Sequence, residues 1–212
     1  GGLDFYAPQT CQGPNGERYM VAWMQMWQRS IPSHDLGHGW AGSMTVPRKL
    51  GLRDGRLVQE LPESVKDHFL VENAPETIVK GNQITIPARG KQTLFEIGAK
   101  SGRSFILSYG NESDADSALQ LIYDASNKRF SLSRDQFGYL ISGKESPEIQ
   151  SRWIQLDGEK DHHFSILRDT NSIEVFVDGK TLSMTFYETT ENPVYTFKAD
   201  EGVDLVVKTY QK

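Results

Sequence analysis

A chain of 212 residues with 37% apolar, 10% aromatic and 24% charged residues has the composition of an ordinary globular protein, long enough for one large all-β domain or one domain plus part of a second. The net charge of −5, without any clustered stripe of Lys and Arg, excludes nucleic acid as a partner and argues against an anionic membrane surface. A single cysteine, Cys11, excludes a disulfide framework and a cysteine-based zinc site, and no apolar stretch approaches the ~20 residues needed to span a bilayer.

Residues 1–60 begin with the aromatic segment DFYAPQT (Asp4 to Thr10), contain one clear strand in RYMVAWM, and continue through GWAGSMTVPRKL to GRLVQELP, a short strand leading to a connector. So few elements cannot build a core alone. A short helical turn is expected around Pro62 to His68, with a boundary near Asp67. From Gln83 onward the chain is a succession of about eleven short runs with period-two alternation, each bounded by Gly, Asp, Asn, Ser or Pro. The sharpest local signal is Asp178-Gly179, where alternating Ile173, Val175 and Val177 run into a two-residue turn of type I′. A second helical turn is expected at Pro147 to Gln150. Strands at this spacing without helical periods predict antiparallel sheets packed as a β-sandwich. The division expected is 1–60 and 61–212, without repeats or low-complexity segments.

DFYAPQT, AWMQMW, GWAGSMTVPRKL and GRLVQELP, in this order, resemble the last part of the catalytic domain of glycoside hydrolase family 32, the β-fructofuranosidases that include invertases, sucrose-6-phosphate hydrolases, levanases and inulinases. DTNSIEVFVDG (Asp169 to Gly179) resembles the segment that marks the family's C-terminal sandwich. The resemblance implies an all-β chain: the terminal segment of a five-bladed β-propeller in residues 1–60, then a β-sandwich. It implies a retaining glycosidase that cleaves terminal β-fructofuranosyl bonds in sucrose, sucrose 6-phosphate or fructan with two carboxylates roughly 5 Å apart.

The family's carboxylates lie in W-x-N-D-P-N, R-D-P and E-C stretches, and none occurs here: the Arg-Asp pairs continue to Gly, Gln or Thr, and Cys11 follows Thr10. The chain is therefore expected to be a C-terminal piece, inactive by itself, that needs the N-terminal propeller portion. That expectation also accommodates an opening Gly1-Gly2 in place of methionine. No charged segment leading into an apolar one stands at the start, and a cytoplasmic or a secreted location fits. No catalytic residue, metal or cofactor is assigned.

On the resemblance, Tyr6 and Trp27 line the fructose pocket of the complete enzyme, presenting aromatic faces to the sugar, or else pack between propeller strands. Asp4 hydrogen-bonds a sugar hydroxyl, positions Tyr6, or satisfies its own backbone. Trp40 walls the pocket or sits in a tight turn whose glycines allow close approach. His34, Asp35 and His38 lack further ligands and read as a solvated loop. Adjacent His162 and His163 point to opposite faces of a strand. Glu174 reads as structural, a contact to the propeller. Asp114 and Asp116 lack the remaining spaced ligands of a calcium loop. Two alternatives to the supporting role are a lectin-like sandwich that binds fructan through Tyr109, Tyr123, Trp153, Tyr187 or Tyr195, and a structural module that self-associates.

Overall fold

The first sixty residues hold more strand than alternation reveals. The computed structural model describes residues 3–25, 27, 29–69, 77–79, 83–114, 117–143 and 149–210. In it β1 (Tyr6–Gln12), β2 (Arg18–Trp23), β3 (Arg48–Arg53) and β4 (Arg56–Glu60) form an antiparallel sheet in the order β1-β2-β3-β4. The strands expected in RYMVAWM and GRLVQELP are β2 and β4, whereas β1 and β3 are additional. β1 escapes notice because all seven of its residues are exposed, so no face is selected to be apolar. It also carries Pro8, tolerated at an edge, and its register shifts between Tyr6 and Gln9, where Ala7 takes φ 47°. In β3 the alternation is inverted, since the fully buried position is Arg48.

Between β2 and β3 lies one helical turn, α1 (Pro32–Asp35), where a plain loop was expected. The connector turn expected at Pro62 to His68 is present as α2 (Glu63–His68). The other expected turn begins at Pro147, outside the described residues.

Beyond the connector come β5 (Thr77–Val79), β6 (Gln83–Pro87), β7 (Gln92–Ala99), β8 (Phe105–Gly110), β9 (Leu119–Asp124), β10 (Arg129–Ser133), β11 (Ser151–Gln155), β12 (His162–Asp169), β13 (Ser172–Val177), β14 (Lys180–Thr185), β15 (Val194–Ala199) and β16 (Val203–Tyr210). They pair into two six-stranded antiparallel sheets, β11-β10-β9-β8-β15-β6 and β14-β13-β12-β7-β16-β5. Each run of alternating residues found in the sequence is one of these strands, and β5 is additional. The Asp178-Gly179 turn has φ 52° and 76°, as a type I′ hairpin requires, and closes β13 onto β14 with Val177 opposite Lys180.

The inner faces meet in an aromatic core in which Phe105 and Phe164 pack edge to face at 5.0 Å, with Phe130 5.3 Å from Phe164. Burying each such side chain contributes about 1.5–3 kcal/mol, an upper estimate because the unfolded chain already hides some of that surface. In β13 the alternation fails informatively: all six residues SIEVFV are buried. Ile173, Val175 and Val177 face the sandwich core, whereas Glu174 and Phe176 are covered from the other side by the N-terminal segment.

Candidate functional site

Tyr6 stands opposite Trp23 in the β1–β2 register, which brings their rings to 6.2 Å. Trp27, just past the end of β2, lies 6.2 Å from Tyr6 and 5.6 Å from Trp23, every contact edge to face. The two residues named from the sequence are thus joined by a third that was not. Trp23 carried a usable signal, since it follows Tyr19 and Val21 on the β2 face opposite buried Met20 and Ala22. Tyr6 is 38% and Trp27 63% exposed, so the cluster offers aromatic surface to a partner.

Trp40 belongs to a neighbouring group: 46% exposed, it lies 5.1 Å from the His38 ring, which in turn lies 6.3 Å from Tyr187. Its loop rests on the cluster through Gly42, which takes φ +80° and where a Cβ would come within 2.9 Å of Trp23 Nε1.

Asp4 has no exposed surface. Its Oδ2 accepts hydrogen bonds from Arg134 Nη1 at 2.6 Å and from Thr185 N and Oγ1 at 2.8 and 2.9 Å, while Arg29 Nη1 lies 3.5 Å from Oδ1. Arg134 is held from behind by Gln150 Oε1 at 2.7 Å and the Thr185 carbonyl at 2.7 Å. Burial pulls this guanidinium below its ordinary value, and Asp4 pushes it back. A carboxylate engaged in this way is not available as a nucleophile or general acid. Gln25 Nε2 adds a strut to Tyr187 Oη at 3.2 Å.

A second buried ion pair closes the same seam further along. Arg48 Nη2 meets Glu174 Oε2 at 2.8 Å, its Nη1 donates to Gln59 Oε1 and Thr181 Oγ1 at 2.8 Å each, and Glu174 Oε1 accepts the Val46 amide at 2.7 Å. Burial pushes the Glu174 carboxyl up, opposed by Arg48 and the Val46 amide. Arg48 also lies over the Phe5 ring at 4.6 Å. Glu174 is thus a structural contact to the N-terminal sheet, as the sequence reading expected.

The remaining candidates fall elsewhere. His34 and Asp35 sit in α1, and among the described residues no group of three or more His, Cys, Asp or Glu is placed to hold a metal. His162 is buried with Nδ1 2.8 Å from Asp178, and exposed His163 meets Glu96 at 2.7 Å, on opposite faces of β12. Asp114 is described, but Asp116 lies outside the described residues. Of the five aromatics considered for a lectin-like face, Tyr109, Tyr123, Tyr187 and Tyr195 are at most 3% exposed, each committed to the interior. Trp153 is 52% exposed, with the Arg129 guanidinium 4.3 Å over its ring.

A four-stranded antiparallel sheet is thus sealed to a two-sheet sandwich by buried ion pairs and carries an aromatic cluster. The model of the glycosyl hydrolases family 32 N-terminal domain matches residues 1–61, and that of the glycosyl hydrolases family 32 C terminal matches residues 59–211. The chain belongs to glycosyl hydrolase family 32. It is 31% identical over 209 residues to a raffinose invertase of Escherichia coli, covering 95% of this chain and 40% of that protein. It is 29% identical over 212 residues to a sucrose-6-phosphate hydrolase of Escherichia coli, covering 97% and 41%. Among solved structures, a sucrose-6-phosphate hydrolase from Lactobacillus gasseri superposes with TM-score 0.84 at 21% identity, covering 99% of this chain and 42% of that one. An exo-inulinase from Aspergillus awamori superposes with TM-score 0.78 at 19% identity, covering 100% and 44%. The chain thus spans about two-fifths of the length of the relatives it matches.

Proposed function

We infer that the chain works as the C-terminal part of a β-fructofuranosidase, with residues 1–60 completing the propeller and linker and residues 61–212 forming the supporting sandwich. The observation that carries this reading is the exposed Tyr6–Trp23–Trp27 cluster on a sheet anchored by buried ion pairs. Tyr6 and Trp27 present ring faces to a fructosyl unit, Trp40 extends the wall, and Asp4 fixes the segment that carries Tyr6. The two carboxylates of a retaining mechanism come from the N-terminal portion of the same enzyme, the partner of this chain. Sucrose, sucrose 6-phosphate or a fructan is the substrate, in keeping with the names of the relatives.

The test compares the chain alone with the chain joined to a family 32 N-terminal domain. Alone, it releases no hexose from sucrose, sucrose 6-phosphate or inulin. Joined, it supports hydrolysis, and Trp27→Ala lowers kcat/KM. Enzyme-like turnover by the pure chain, or a folded combined protein inert on all three substrates, sinks the reading.

The unpaired side of β1 and the exposed cross-strand pair Leu52 and Leu57 favour docking of this N-terminal portion, or of a second copy in its absence. Light scattering distinguishes the two: self-association of the lone chain should vanish once the N-terminal domain is bound.

A further inference from the structure

We propose that Arg134, a residue of the sandwich, is a positioning residue for the sugar-facing aromatic wall, acting through the buried carboxylate of Asp4. This rests on the reading of Tyr6 and Trp27 as sugar contacts and adds to it the group that holds them.

Asp4 lies two residues before Tyr6, and Arg29 two residues after Trp27. Both ends of the aromatic cluster therefore lead within two peptide units to one carboxylate, with Arg29 3.5 Å from Oδ1 and Arg134 2.6 Å from Oδ2. Without a countercharge from the sandwich, Asp4 would still have Arg29 and the two Thr185 donors, but would lose the one charged donor to Oδ2, at 2.6 Å the shortest of its contacts. Arg134 supplies that donor from a guanidinium whose other contacts are the Thr185 carbonyl and hydroxyl and the Gln150 amide oxygen, so its own orientation is set by the sandwich. The Gln150 amide donates in turn to the Ile141 carbonyl at 3.0 Å.

The segment is tied down at further points on the same side: Leu3 N to the Ser183 carbonyl at 3.2 Å, Ser183 Oγ to the Asp4 carbonyl at 2.9 Å, and Ser30 N to the Ser142 carbonyl at 2.8 Å. These fix the backbone on either side of the cluster. The charged contact between them decides how Asp4 and Arg29 approach each other, and with them the spacing of Tyr6 and Trp27. In a site where displacement by about 1 Å costs on the order of a hundredfold in rate, such a clamp controls catalysis without touching substrate.

Arg168 provides the control. It is as buried as Arg134, at 3% exposure each, but it bonds Tyr109 Oη and the Gly90 carbonyl within the sandwich. In the chain joined to a family 32 N-terminal domain, Arg134→Met is expected to raise KM for the fructoside and to lower kcat/KM at least tenfold. Arg134→Lys, which keeps the charge and loses the fork, is expected to fall between it and the parent. Arg168→Met lowers the melting temperature and leaves KM within twofold. Unchanged KM in folded Arg134→Met, or equal KM changes in Arg134→Met and Arg168→Met, overturns the proposal.

A readout independent of turnover is the pair of indole N–H resonances of Trp23 and Trp27 in the isolated chain. These should shift in Arg134→Lys and stay in place in Arg168→Met. Should the combined protein fail to hydrolyse any fructoside, the functional reading falls while the indole comparison still judges the clamp, and indoles indifferent to Arg134 refute it.

Discussion

The sandwich core and the seam that joins it to the N-terminal sheet are both buried, yet they are built from opposite materials. The core is aromatic and aliphatic: Phe105, Phe130 and Phe164 have no more than 1% exposure and gain from burial in any well-packed arrangement. The seam holds Arg48, Glu174, Asp4 and Arg134, charges whose removal from water is costly unless each meets its partner at the right distance. Apolar packing supplies stability, whereas a sheet docked one residue out of place would strand several of these charges. The cost of that choice is visible in polar atoms left without a hydrogen-bond partner among the described residues, including Arg48 Nε and Arg134 Nη2.

Substitutions test the contrast directly. Phe164→Ala in the core is expected to cost about 4 kcal/mol and to lower the urea midpoint of the whole molecule. Glu174→Ala should cost about 3 kcal/mol by stranding Arg48. Here hydrogen exchange should loosen first in β3 and β4, while the sandwich interior stays protected. Replacing both partners, Arg48→Met with Glu174→Leu, should restore most of that loss. If the double variant is as unstable as the single one, the seam depends on more than charge pairing.

A smaller effect is expected at Gly179, which takes φ +76° and where a Cβ would come within 2.7 Å of Val58 on β4. The Gly179 carbonyl also accepts the Gln59 amide at 2.8 Å, so the hairpin tip is itself a docking point. Gly179→Ala should destabilise by about 1–2 kcal/mol, read by thermal unfolding.

The smallest effect belongs to neither region. Hydrogen bonds from Ser126 and Asn127 hold the exposed Asp124 carboxyl at about 2, below its ordinary 3.8. A depressed carboxylate stabilises the fold above its unfolded value and loses that contribution as the pH falls from about 3.8 towards 2. Asp124→Asn should therefore be slightly less stable than the parent at neutral pH and indistinguishable from it below pH 2. A difference that persists in strong acid would point to another cause.

What the sequence disclosed follows the same division. A core strand such as β9, whose burial alternates at every residue, announces itself by period two, and Asp178-Gly179 announces its turn. The seam does not, because a buried Arg48 and a surface arginine look alike until the opposing Glu174 is in view 126 residues later. β1 was hidden for a related reason: a strand exposed along its whole length within this chain has no apolar side to display. At the site, family likeness singled out Tyr6 and Trp27, and only strand register revealed Trp23 between them. Asp4 was named among sugar-facing residues, but its neighbours Arg134 and Thr185 lie 130 and 181 positions away, beyond the reach of any local pattern.

That last separation carries a consequence for how the molecule is made. Thr185 leaves the ribosome 181 residues behind Asp4. During that interval the opening segment can form its hairpins but not its lock, since such a long-range closure must wait for both ends. The aromatic wall therefore acquires its final shape only after nearly all of β14 has been synthesised, and a ribosome stalled before that strand would hold out a sticky, unfinished surface. The buried charges are thus matched late: among the described residues the cation that meets Asp4 Oδ2 is Arg134, 130 positions further on.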